Sequence, residues 1–431
     1  MTSIRPLLAL TLPVVFAAGC ASPATETAAP KDKTAITIDT EADGRDIYEE
    51  ETPEVPTPSP SSSSGDRVRP SAGGTTTAVE PQGSTDDEAD EGAAGGDDAA
   101  RKPAKKKKKV WNNPRPKNFK RYNAPGVVNV NKHIYPRRDI FGVFTDQARN
   151  QIADRNALAK KVGMKPNMIK SFYNWGNTFD PQWARRIWNA GAYPQFELEA
   201  HTPAEATVAT IAAGQQDEYI RALATGIKAA NVPVVFSPFH EMNGDWYPWG
   251  HCGPTSKPES NACQVKTTPA QFRAAWKRMH NIFKSVGATN AIWLWQVNQT
   301  GARPRVGLKQ FYPGNAYVDW LGVVGYYYHR NNWYHTWNDL FVPTLNQLKK
   351  VSKKPIFIPE MGMEPGKWRP ADIKNFLTAV GKRKDVIGFL WFSYNKPTEM
   401  DFRIDSSAAS TKAFKYWIKQ NTYGFDPRKL K

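Results

Sequence analysis

The sequence predicts an α/β protein folded as a (β/α)8 TIM barrel preceded by a disordered linker. Three observations carry this. Apolar, strand-like runs recur eight times between Ile140 and Asn395, each too continuous for a sheet with one wet face. Stretches of helical period lie between several of them, and eight such units in about 300 residues is the size of a closed parallel barrel. The first run and its continuation, FGVFTDQARNQ, have no G-x-G-x-x-G turn, the mark of a doubly wound nucleotide-binding sheet.

The barrel does not begin at once. The chain has 431 residues and a formal charge of +17, distributed unevenly. Arg5 precedes an apolar run over residues 7–18, which is shorter than the ~20 residues that span a bilayer and reads as an export signal. The run ends in Ala17-Ala18-Gly19-Cys20, which resembles a bacterial lipobox, so lipidation of Cys20 is expected and plain secretion is the alternative. The expected location is the outer face of the cell membrane, held by the lipid anchor alone, or outside the cell if Cys20 is unmodified.

Residues 21–100 hold 19 acids against 5 bases and almost no aromatic residue, a composition that cannot bury enough apolar surface to order itself. Residues 101–121 hold 11 bases and no acid, including Lys105 to Lys109. The expected organisation is a signal peptide over 1–20, a disordered acidic linker over 21–121 ending in this basic run, and a folded domain over 122–431. That domain carries 41 bases and 22 acids, so an anionic envelope polymer is a partner its charge allows. An exported chain seldom meets nucleic acid, and none is expected. A monomer is expected.

Within the domain the strands are expected at IFGVFT (140–145), MIKSFYNW (168–175), YPQFELEA (193–200), VPVVFSPFHE (232–241), AIWLWQVN (291–298), VDWLGVVGYYY (318–328), KPIFIPEMG (354–362) and VIGFLWFSYN (386–395). Helices are expected at 146–163, 181–191, 216–231, 268–287 and 369–383, several opening near Asp, Thr or Pro and closing on Gly or Asn. Cys252 and Cys263 flank HCGPTSKPESNAC; in an exported chain this close pair predicts a disulfide, and its spacing fits no zinc site.

Functional groups of such a barrel project from the C-terminal strand ends. Glu241 is expected to close the fourth strand and Glu360 the seventh, each in an aromatic, apolar context. Desolvation raises one carboxyl pKa while hydrogen bonds hold a second ionised, the division of labour a retaining glycosidase uses. Two such glutamates near Trp246, Trp249 and Trp391 favour catalysis over a pair of structural ion pairs.

The segment HEMNGDWYPWG (240–250) resembles the acid/base motif of glycoside hydrolase family 26, mainly endo-β-1,4-mannanases with some mixed-linkage glucanases and β-1,3-xylanases. The resemblance continues through 311–327, 354–362 and DFRIDSS (401–407), and covers most of residues 130–420. It implies a mannan endo-1,4-beta-mannosidase-like retaining enzyme acting on a polysaccharide without a cofactor, the alternatives being a mixed-linkage β-1,3-1,4-glucanase or a non-catalytic carbohydrate-binding barrel. Glu241 would be the acid/base and Glu360 the nucleophile. His240 would hold the hydrogen-bond network, Tyr326 would orient Glu360, and Trp246 and Trp391 would present ring faces to sugars.

A zinc-protease reading of His240-Glu241 needs a second His at position 244, which is Gly. The other histidines show no metal spacing and no metal is expected, although His201 and His329 lie just past strand ends, within reach of substrate. Two departures from the family bear on the substrate. Val324 stands two before Tyr326, where mannanases often carry an acid, and the third strand reads Glu197-Leu198-Glu199-Ala200, in which Glu199 could bind substrate or form a strand-end ion pair.

Overall fold

The computed structural model describes residues 116, 119–146, 150–201, 206–300, 306–329 and 336–430. The chain divides into two units, Met1–Gly96 and Asp97–Lys431, and every described residue lies in the second. The expected export signal with Cys20, the acidic segment and the lysine run fall outside the described residues. No described helix is long and apolar enough to cross a membrane.

The elements run in the order α1 (Asn131–Ile134), β1 (Ile140–Phe144), α2 (Gln151–Val162), β2 (Met168–Asn174), α3 (Pro181–Asn189), β3 (Tyr193–Glu199), α4 (Val208–Ala212), α5 (Asp217–Ala230) and β4 (Val234–Pro238). They continue with α6 (Asn261–Val265), α7 (Pro269–Val286), β5 (Ala291–Asn298), β6 (Trp320–Tyr327), α8 (Trp337–Leu340), α9 (Val342–Val351), β7 (Ile356–Met363), α10 (Arg369–Lys382), β8 (Val386–Phe392) and α11 (Ala408–Ile418). The eight strands close in sequence order, all parallel, with β8 returning to β1 in the register Ile140↔Gly388 to Phe144↔Phe392. The expected TIM barrel is therefore the fold of the described residues.

Local chemistry fixes where helices start. The Asn150 side chain accepts from the amide of Ala153, so α2 begins at Gln151 rather than at Asp146 as the helical period alone suggested. Thr268 and Gln271 form a reciprocal capping box ahead of Pro269, and α7 runs from there to Gly287, whose φ of 82° supplies the left-handed C-cap.

Strand alternation sorts side chains into two layers. Phe141, Val143, Phe196, Leu198, Phe236, Trp293, Trp295, Leu321, Val323, Phe389 and Trp391 point outward into the layer between barrel and helices. The residues between them point inward, and there Ile140, Met168, Tyr193, Val235, Ile292, Leu294, Trp320 and Phe357 pack the lower part of the barrel. One step further along the same inward rows stand Lys170, Glu197, Ser237 and Gln296, all buried. A polar floor thus sits on an apolar plug, beneath the C-terminal mouth.

Candidate active site

The two expected carboxylates reach this mouth by different local devices. β4 stops at Pro238, and the chain then takes left-handed conformations at Phe239 and Glu241, both with φ of 55°. Such a conformation is uncommon for a residue with a side chain. Glu241 is held in it by its amide, which donates to the carbonyl of Gln296 on β5 at 3.1 Å. It therefore lies beyond β4 rather than closing it. Glu360 lies inside β7, where pairing with β6 slips one residue between Phe357 and Glu360. Pro359, which has no amide hydrogen for the ladder, occupies that bulge, and Glu360 turns into the barrel.

Their surroundings are opposite in electrostatic sense. Glu241 accepts from the indole of Trp246 at 2.9 Å and from the amide of Asn298 at 2.5 Å. Burial, and then the nearby charge of Glu360, push its carboxyl up to about 8, so it carries a proton at neutral pH. Burial alone would raise Glu360 too. The Lys170 ammonium in contact with its Oε2 overrides this and, with the Tyr326 hydroxyl donating to Oε1 at 2.5 Å, holds Glu360 below its ordinary value. One carboxyl is thus kept as an acid and the other as a carboxylate.

His240 is buried, and its imidazole is pushed down to about 4 by that burial. Its Nε2 lies 3.1 Å from the Tyr247 hydroxyl, and its carbonyl accepts from the Trp249 indole at 2.6 Å. Tyr247 stacks on Trp249 with centroids 4.4 Å apart. Gly244 is required here, since a Cβ at this position would stand 2.3 Å from the Trp246 ring. The Cys252–Cys263 disulfide is formed as expected and closes the loop C-terminal to these residues.

Glu199 is buried and accepts from His201 Nε2 at 2.8 Å, with His240 Nε2 3.7 Å from its other oxygen. His329 Nε2 lies 2.7 Å from Oδ2 of Asp372, and its ring stacks on Trp368, an indole that is 43% exposed. Trp391 is a correction. Its side chain is fully buried among the outward-facing residues, against Phe414, and its indole donates to the carbonyl of Phe402 at 2.8 Å. Period-two alternation turns Leu390 and Phe392 inward and Trp391 away from the mouth, so it offers no face to a sugar.

Several site residues carried no motif. Lys170, Glu197, Gln296 and Asn298 complete the network with Tyr247 of the 240–250 segment, and for Lys170 and Glu197 the available signal is a charge inside a strand otherwise buried on both faces, as in MIKSFYN and YPQFELE. Glu197, Glu199 and His240 bring three possible ligand atoms within 4.8 Å of one another. The Lys170 ammonium, 2.7 Å from Glu197, already occupies the role a cation would play there.

Known proteins resemble this chain in sequence and in fold. Residues 188–360, which hold both Glu241 and Glu360, match the sequence profile of glycosyl hydrolase family 26. The chain is 30% identical over 266 residues to Endoglucanase H of Acetivibrio thermocellus, covering 59% of this chain and 27% of that protein. It is 29% identical over 104 residues to a mannan endo-1,4-beta-mannosidase of Bacillus subtilis, covering 24% of this chain and 26% of that one. It thus spans about a quarter of the length of these curated relatives. The catalytic domain of a family 26 endo-β-1,4-mannanase from Bacillus sp. JAMB-750 shares the fold at a TM-score of 0.53 and 17% identity, over 69% of this chain and 92% of that domain. The family 26 profile thus matches the stretch that holds both carboxyls, and the solved mannanase domain shares the barrel fold.

Proposed function

We propose that the barrel is a retaining endo-β-glycanase with Glu241 as acid/base and Glu360 as nucleophile. The observation that carries the reading is the opposite tuning of two buried carboxyls in one mouth, one pushed up to about 8 and the other held low. A carboxylate oxygen of Glu360 attacks the anomeric carbon while Glu241 gives its proton to the departing glycosidic oxygen. Water, losing a proton to Glu241, then displaces Glu360 and releases the sugar with its original β configuration. Tyr326 and Lys170 keep the nucleophile ionised and aimed. Trp246 ties the acid in place and supplies a partly exposed ring beside the bond to be cut.

A β-1,4-mannan-type polysaccharide is the substrate supported by the mannanase relatives. A mixed-linkage β-1,3-1,4-glucan is the second reading. It is favoured by the longer match, to a protein named as an endoglucanase, and by buried Val324 at the inward position two before Tyr326, where a mannanase often places an acid. A sugar-release screen across β-mannan, galactomannan, barley glucan and β-1,3-xylan decides between them. Proton NMR of the first product formed tests the mechanism: a β-anomer is expected, and an α-anomer rules out retention. Export with lipidation at Cys20 is part of the proposal. Fatty-acid labelling that disappears in Cys20→Ser supports it, and labelling that persists removes it.

A further inference from the structure

Lys170 is fully buried, with its ammonium 2.7 Å from Oε1 of Glu197, in contact with Oε2 of Glu360, and 4.5 Å from the centre of the Phe172 ring. In the resting site it has two carboxylates. The retaining reaction removes one of them. When a Glu360 oxygen bonds to the anomeric carbon, the glycosidic C–O bond breaks, the leaving oxygen takes the proton of Glu241, and Glu360 becomes a neutral ester. The negative charge has moved to Glu241, whose oxygens are held by Trp246 and Asn298 rather than by Lys170. A buried ammonium left without a partner is strongly destabilising.

We propose that Glu197 is the positioning residue that keeps Lys170 charge-paired while Glu360 is esterified. The inference rests on the retaining reading above. Glu197 is suited to the task because its Oε1 is fixed independently of Glu360, accepting from Gln296 at 2.6 Å and from Gln195 at 3.3 Å. Gln296 is itself held by a bond to the Ser237 hydroxyl at 2.7 Å. Burial raises the Glu197 carboxyl, the Lys170 ammonium pulls it down and the charge of Glu360 pushes it up; esterification removes the Glu360 charge and so favours the ionised form of Glu197. Hydrolysis of the ester then restores the Glu360 carboxylate to Lys170. The pair Lys170–Glu197 is thus a fixed unit, against which the nucleophile changes its charge twice per turnover.

The test needs no substrate at first, because Glu360→Gln imitates the neutral ester. Thermal unfolding is compared for wild type, Glu197→Gln, Glu360→Gln and the double variant. Each single change leaves Lys170 one carboxylate, and the double change strands it. The double variant is expected to unfold about 5 °C or more below the sum of the two single shifts. Adding Lys170→Met to it should recover most of that loss. Additive shifts among four variants with native circular dichroism overturn the proposal. In turnover of 2,4-dinitrophenyl β-cellobioside and β-mannobioside, Glu197→Gln should lower kcat/KM at least about tenfold and shrink the initial burst of dinitrophenolate. Glu197→Asp should restore part of both. An unchanged burst and kcat/KM in Glu197→Gln overturn the proposal while the retaining reading stands. A wild type that inverts the anomer removes the retaining reading, and with it the ester role, whatever the thermal coupling.

Discussion

The indole N–H of Trp246 donates to Oε2 of Glu241 at 2.9 Å, across a turn made possible by Gly244. The bond favours the ionised carboxylate, against burial and the charge of Glu360, which favour the protonated one. Trp246→Phe keeps a ring and removes the donor. The carboxyl of Glu241 should then rise further, so the alkaline limb of kcat/KM, where the acid loses its proton, should move to higher pH. Activity at neutral pH should fall about tenfold through lost alignment of the acid. A pH–rate profile measured on both proteins checks this; an alkaline limb that stays put or moves down contradicts it.

The proposed roles of the two carboxyls also fix the expected wild-type profile. With Glu360 as nucleophile and Glu241 as acid, as proposed, activity needs the first ionised and the second protonated, so kcat/KM should rise through an acid limb below the usual carboxylate range and fall through an alkaline limb near pH 8. Lys170→Met removes the ammonium that holds Glu360 low. The acid limb should then shift upward, and kcat/KM should drop by about 100-fold or more. An acid limb unmoved in this variant would assign that limb to another group.

Tyr326→Phe tests the other hand on the nucleophile. The hydroxyl donates to Oε1 of Glu360 at 2.5 Å, and a hydrogen bond to a charged group is worth about 1.5–3 kcal/mol. Its loss should reduce kcat/KM about 10- to 100-fold and raise the acid limb, with little change in melting temperature, since the ring still stacks near Tyr328. A large fall in stability without a shift of the limb would make Tyr326 a packing residue.

Trp391 and Trp368 should separate cleanly. Trp391 is fully buried outside the barrel wall, so Trp391→Ala should destabilise the fold by about 3–5 kcal/mol and leave the KM of the folded protein unchanged. Trp368 is 43% exposed beside His329, so Trp368→Ala should leave the melting temperature nearly unchanged. Chemical denaturation together with steady-state kinetics distinguishes the two, and a raised KM for Trp391→Ala at native stability would restore it to the substrate site.

The barrel was legible because a parallel sheet covered by helices needs apolar continuity on every strand. AIWLWQVN coincides with β5, and the other strands differ by a few residues at their ends. That same continuity hid which face each side chain takes. Leu390 and Trp391 look alike in a strand buried on both sides, and only closure of the barrel turns one inward and the other out. The two glutamates were legible through their aromatic context. Their positions relative to the strands were not, because the left-handed turn at Glu241 and the bulge at Pro359 are backbone events without a local pattern. The pairing of Lys170 with Glu197 was not legible for a third reason. They are 27 positions apart in sequence, and only the pairing of β2 with β3, Lys170 opposite Gln195, brings them together.

The central claim is that Glu360 forms the covalent bond to the sugar. Incubation with 2-deoxy-2-fluoro β-glycosides of cellobiose and mannobiose, with subsequent mass analysis of the protein and its peptides, tests it most directly. One disaccharide is expected to add per barrel, on the peptide containing Glu360, and none to Glu360→Gln. A label on another carboxylate, or continued turnover of the polysaccharide by Glu360→Gln, would contradict it.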